Sequence, residues 1–140
     1  MWWRSGSSWV QAVVAQQSSQ MIYTSVLTQP EIVSALQRRV RGGTLEADQA
    51  QQLAQQVLEH MTQSYALATS TPPIITQACA LLQKYPLRAY DALHLACAMA
   101  VREAIERQQL SVPVFVAADD ALLMAAAAEG FPVDNPLQHP

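Results

Sequence analysis

From Ala89 onward the stretch YPLRAYDALHLACAMA, residues 85–100, is apolar at almost every position, as a buried helix would be. It nevertheless carries Asp91 and, one turn later, His94. A carboxylate left unpaired in such surroundings costs several kcal/mol or takes up a proton. A helix built this way implies company for Asp91 from elsewhere in the chain.

On the C-terminal side, VPVFVAA (112–118) is a short apolar run with the pattern of a buried parallel strand. DDALLMAAAAEG then reads as a helix ended by Gly130, and FPVDNP as a last short strand. On the N-terminal side, Pro72-Pro73 closes a strand in YALATST, a helix covers 74–84, and the long helix runs from near Pro86 to about Gln109. Before these, GSSWVQAVVAQQ suits a short amphipathic helix with Trp9, Val13 and Val10 inward, and MIYTSVL favours a strand. TQPEIVSALQRRV has helical period at Ile32, Val33, Ala35, Leu36 and Val40, with Pro30 near its start. Gly42-Gly43 stops it and Thr44 is placed to cap the next helix. Over 45–62 an apolar stripe follows at Leu53, Ala54, Val57, Leu58 and Met61, opposite a Gln-rich solvated face. So short a link predicts an antiparallel helical hairpin. Strands alternating with helices predict an α/β fold with a parallel sheet.

A chain of 140 residues suggests one domain, 1–140, with a core of its own. Apolar residues at 51% and charged ones at 14% exclude a disordered chain, and a net charge of −3 argues against gripping nucleic acid by bulk charge alone. Bound cations can still supply positive charge locally. Cys79 and Cys97 read as two buried thiols of a reducing compartment. The opening MWWRSGSSWVQAVVAQQ has no apolar run of signal-peptide length, and residues 61–83 are too interrupted to span a membrane, so a cytoplasmic location is expected.

In open α/β sheets, ligands collect where a strand ends and the next helix begins. Glu31 follows IYTSVL and Asp119 follows VPVFVAA, both in that position, and Asp91 lies on the first turns of a helix that has to pack on the same sheet. Acids gathered there are hard oxygen ligands for Mg2+ or Mn2+. Each has a structural alternative. Thr28-Gln-Pro-Glu31 fits a capping box, and Asp119 fits an N-cap for the helix beginning at Asp120. Asp91 is read as too deep in its helix to cap it; its structural alternative is a salt bridge to Arg88, which could equally point to solvent. His94 shares the face of Asp91 and reads either as half of a functional His–Asp pair or, the preferred reading, as a partly buried histidine held by a hydrogen bond. Asp120 suits the helix dipole, and Asp134 turn chemistry. Arg38, Arg39 and Arg41 form the one basic cluster, either an exposed helix end or a phosphate or partner contact.

IYTSVLTQPEIVSALQRRVRGGTL, PLRAYDALHLACAMA and VFVAADDALLMAAAAEGFPVDNP, in that order, resemble the PIN-domain proteins, especially VapC-type toxins of bacterial toxin–antitoxin pairs. The likeness runs from about Gly6 to Pro136. It implies a three-layer domain with a small parallel sheet flanked by helices, hydrolysing RNA with Mg2+ or Mn2+ held by Glu31, Asp91 and Asp119. Thr24, Ser25 and Asp120 would support such a site, and Arg38, Arg39 or Arg41 would guide RNA or a partner. The partners implied are an antitoxin and a second copy in a homodimer or higher oligomer. Relatives open with a strand of the form "LD-S/T-S-A-L" that is central in the sheet and carries a first acidic ligand. MWWRSGSSWV has no counterpart to it, so the expectation is a missing central strand, from a start at an internal Met or a truncation. Three acids instead of four imply weaker metal affinity and slower turnover. The alternative is an inactive domain acting through association, with the hairpin of residues 29–62 offering a groove to a partner helix.

Overall fold

The computed structural model describes residues 7–16 and 21–140. Along the chain run α1 (Ser7–Ala15), β1 (Tyr23–Ser25), α2 (Thr28–Arg41), α3 (Ala47–Ser64), β2 (Ala66–Ala68), α4 (Pro72–Lys84), α5 (Ala89–Arg107), β3 (Phe115–Val116), α6 (Asp120–Ala128) and β4 (Val133–Asp134), with a closing 3-10 turn at Pro136–Gln138. Gly6 and Gln17, the ends of the expected first helix, lie outside the described residues, as do the first five residues of the opening segment read for a leader. The fold is α/β, largely helical, with small parallel sheets flanked by helices, as expected.

Among the described residues the strands form two separate parallel pairs. In one, Tyr23, Thr24 and Ser25 of β1 lie beside Ala66, Leu67 and Ala68 of β2. In the other, Phe115 and Val116 of β3 lie beside Val133 and Asp134 of β4. The apolar run at 112–118 was expected to be a wholly buried strand, but only Phe115 and Val116 are paired, and Val114 and Val116 are 57% and 47% exposed. It is covered on one side alone, so its burial alternates as in a half-solvated strand. Asp134 belongs to β4 rather than to a turn, and the turn chemistry falls to Asn135, whose Oδ1 accepts from the Leu137 amide at 2.9 Å.

Several helix ends differ from expectation in ways that local chemistry explains. Pro72 and Pro73 are the first residues of α4 rather than a stop before it, since their missing amides and fixed φ cost nothing there. Thr44 does not cap α3; its hydroxyl donates to the Arg39 carbonyl at 3.2 Å and closes α2 behind Gly43, whose φ of 71° needs a glycine. In α3 the inward line is Ala50, Ala54, Val57 and Met61, at helical spacing, which turns Leu53 out to 40% exposure. Cys79 is exposed on α4, so only Cys97 is the buried thiol expected of both.

The core is the α4–α5 pair with α6 across its end: Ile74, Ala78 and Leu81 meet Ala92, Leu95, Ala96 and Cys97, then Leu122, Ala125, Ala126 and Phe131. Small residues on α5 allow close approach of its neighbours. A polar clasp closes the far edge. Lys84 Nζ and Tyr85 Oη each donate to Glu129 Oε1 at 2.7 Å, and Arg102 Nη1 donates to the Glu129 carbonyl at 2.6 Å while its guanidinium stacks 4.3 Å over Phe131. The Lys84 and Tyr85 bonds hold the Glu129 carboxyl below its ordinary range. A carboxylate with a depressed folded pKa adds stability above the ordinary glutamate range and loses it as the pH falls through the folded value. Glu129→Ala should therefore cost about 1–3 kcal/mol in urea denaturation at pH 7, with the gap to wild type shrinking below pH ~4. A gap that is constant from pH 7 to pH 3 would show that the carboxylate contributes no charge-dependent stability.

Candidate functional site

Three helix starts converge on one cavity of about 880 Å³ between the two strand pairs. Met21 to Ser25 line it from the β1 side and Pro113 to Asp119 from the β3 side, with Cys97, Ala98 and Val101 of α5 between them. Its polar end carries Glu31 of α2, Asp91 and His94 of α5, and Asp119 at the start of α6. The three sequence-selected acids thus face the same space, from elements separated along the chain.

Asp91 is the third residue of α5, because the helix begins at Ala89 and not near Pro86. As expected, Asp91 does not cap the helix; it sits in the first turn, where the helix dipole favours an acid. Arg88 stands at the N-cap with an exposed side chain and makes no ion pair with Asp91 among the described residues. Burial, and next the neighbouring Asp119 carboxylate, push the Asp91 carboxyl up, outweighing the pull of His94 and Arg88. Asp91 is the acid whose ionised form is least compensated.

Glu31 does not form the capping box. Thr28 is the first helical residue rather than the cap, Leu27 holds the cap position without a side-chain bond, and the Thr28 hydroxyl pairs with that of Thr24 at 2.9 Å. Freed from the backbone, Glu31 Oε1 lies 3.0 Å from His94 Nε2. His94 is the half-buried, hydrogen-bonded histidine expected, but its partner is Glu31 from across the fold, which no local sequence signal announces. Asp119 does cap α6, accepting from the Leu122 amide at 2.8 Å through Oδ1, while the residue also lines the cavity.

The supporting candidates are divided. Thr24 and Ser25 line the cavity, but Ser25 Oγ already accepts from the Leu27 amide at 3.1 Å. Asp120 turns away from it and accepts from Asn135 Nδ2 at 3.3 Å. Arg38, Arg39 and Arg41 are exposed at the last turn of α2, seven to ten residues beyond Glu31 or about 10–15 Å along the helix, and do not line the cavity.

The donor set suits a hard divalent cation in kind: carboxylate oxygens from three elements, with the Asp91 carboxyl pushed up by burial and then by the Asp119 carboxylate. The spacing is open, for among the described residues no three of His, Cys, Asp or Glu are grouped closely enough to hold one ion. No described helix is long and apolar enough to cross a membrane. The family model of the PIN domain matches residues 3–119, from before α1 to Asp119. No curated protein matches the chain significantly.

Proposed function

We propose, from the premise that the chain belongs to the PIN-domain family, that it is a Mg2+- or Mn2+-dependent ribonuclease of the VapC toxin type. PIN domains are generally nucleases and typically depend on a divalent metal. The observation that carries the reading is the convergence of Glu31, Asp91 and Asp119 on one cavity, where burial and the Asp119 carboxylate push the Asp91 carboxyl up. These three residues would supply the ion's ligands, drawn closer together than they stand in this structure. When bound, it supplies charge that polarises a phosphate and lowers the pKa of an attacking water. The chain's own contribution is to fix the acids on three helix starts and to floor the cavity with apolar residues such as Ala98 and Val101. Arg38, Arg39 and Arg41 lie far enough from the acids to touch the RNA backbone several nucleotides away, or a protein partner.

The test is cleavage of a mixed-sequence RNA by the 140-residue chain with Mg2+, with Mn2+ and with EDTA. Cleavage that requires either metal is expected. A folded chain that leaves RNA intact at millimolar metal would sink the ribonuclease reading.

A second reading, an inactive PIN domain working through an antitoxin or a second copy, is favoured by the open sheet edges. Bonds from Ala66 N to Ile22 O and from Val26 N to Ala68 O leave the backbone groups of Tyr23 and Ser25 directed away from β2. Phe115 and Ala117 likewise bond toward β4, leaving those of Val114 and Val116 on the other edge. Both edges border the cavity, and such edges invite pairing with another chain.

A further inference from the structure

We infer that His94 is a positioning residue that sets the carboxylate of Glu31 for divalent-cation binding, an inference that rests on the metal-dependent reading above. Glu31 sits in the first turn of α2, whose backbone is held at that end by the Thr28–Thr24 and Leu27–Ser25 bonds, but α2 contains no buried residue that would pack the Glu31 side chain in place. A glutamate on such a turn has three rotatable bonds and 42% of its side chain exposed. His94 is the opposite kind of residue. It projects from the best-packed helix, between Ala92 at 0% and Leu95 at 0% exposure, and its own side chain is 19% exposed.

An ionised carboxylate only accepts hydrogen bonds, so the 3.0 Å contact requires the Nε2–H of His94 to donate to Glu31 Oε1. One oxygen of Glu31 is thereby fixed and the other is left for a ligand. The bond spans 63 residues of sequence and ties the start of α2 to α5, one turn from Asp91. His94 thus orders the one acid of the three that its own backbone does not hold. Asp119 is fixed by the Leu122 amide, and Asp91 by its place on the core helix. Hydrogen bonds to ligating carboxylates typically change metal affinity by about 10–100-fold when they are removed.

The experiment measures Mn2+ binding to the full chain by the electron-paramagnetic-resonance signal of free Mn2+, with folding followed by circular dichroism. His94→Leu and Glu31→Gln should each weaken binding by about tenfold or more, whereas His94→Gln, whose amide nitrogen reaches the place of Nε2, should stay within about threefold of wild type. His94→Asn, polar but too short to reach Glu31, should behave as His94→Leu and serves where the leucine variant does not fold. Wild-type affinity in His94→Leu or His94→Asn beside a weakened Glu31→Gln would overturn the positioning role and leave the metal reading intact. A Glu31→Gln variant that binds Mn2+ as wild type would also overturn it. A wild-type chain that takes up no Mn2+ at millimolar concentration would overturn both.

Discussion

Asp91→Asn is expected to reduce metal-dependent RNA cleavage by at least ~100-fold while making the chelated protein slightly more stable. The two effects share one cause. Burial and the Asp119 carboxylate raise the Asp91 carboxyl above its ordinary range, so the folded state binds that proton more tightly than the unfolded chain does. Stability from this group is then fully present in acid and is lost as the pH rises through the folded value; at pH 7 the ionised side chain is a net cost. Asparagine keeps the shape and removes the charge, along with the repulsion from Asp119 and Glu31. In EDTA at pH 7 the variant should melt at or a little above the wild-type temperature, and the difference should vanish or reverse toward pH 4. Millimolar Mn2+ should raise the melting temperature of wild type and not of the variant, because only wild type binds the ion in the folded state. A purely structural acid would give the opposite pattern, with Asp91→Asn less stable at pH 7. Full cleavage activity in the variant would remove Asp91 from the site altogether.

That expectation began as a reading of one helix, and it shows where sequence suffices and where it fails. The apolar run from Ala89 and the period of Ile32, Val33, Ala35, Leu36 and Val40 made the helices legible, because a 3.6-residue repeat is a property of the segment itself. Helix starts were less legible. The Thr28–Glu31 pair matches the capping-box pattern, yet the Thr28 hydroxyl is drawn to Thr24 and the Glu31 carboxylate to His94, partners supplied by tertiary structure. Asp119 has the same local ambiguity and there the local reading holds, since the Leu122 amide, a first-turn donor with no partner inside the helix, bonds its carboxylate. The acids could be picked by where each follows its strand, but their spacing could not be read, because it depends on how α2 and α5 lie across the cavity. The run at 112–118 misled for a related reason: apolar content does not reveal whether a strand has neighbours on both edges, and β3 has β4 on one edge and the cavity on the other.

The second large effect is on stability. Leu95→Ala should destabilise the protein by about 3–5 kcal/mol, a large share of the 5–15 kcal/mol typical of a folded domain. Leu95 is 0% exposed, with Ala92 at 0%, Ala96 at 1% and Cys97 at 2% beside it on α5, and these small neighbours have no side chain long enough to fill the space that a truncated leucine leaves. The lost transfer energy and the residual cavity therefore both count. A drop of roughly 10 °C or more in melting temperature should follow for a chain of this size. Met124→Ala is the control: Met124 is on α6 but 74% exposed, and its removal should change stability by no more than about 0.5 kcal/mol. If urea denaturation gave less than ~1 kcal/mol for Leu95→Ala, α5 could not be the packed centre described here. The rigid platform that holds Asp91 and His94 would then have to be sought elsewhere. A variant that loses several kcal/mol yet stays folded at low temperature should also bind Mn2+ more weakly, because the helix that carries Asp91 and anchors Glu31 through His94 is held in place by this packing.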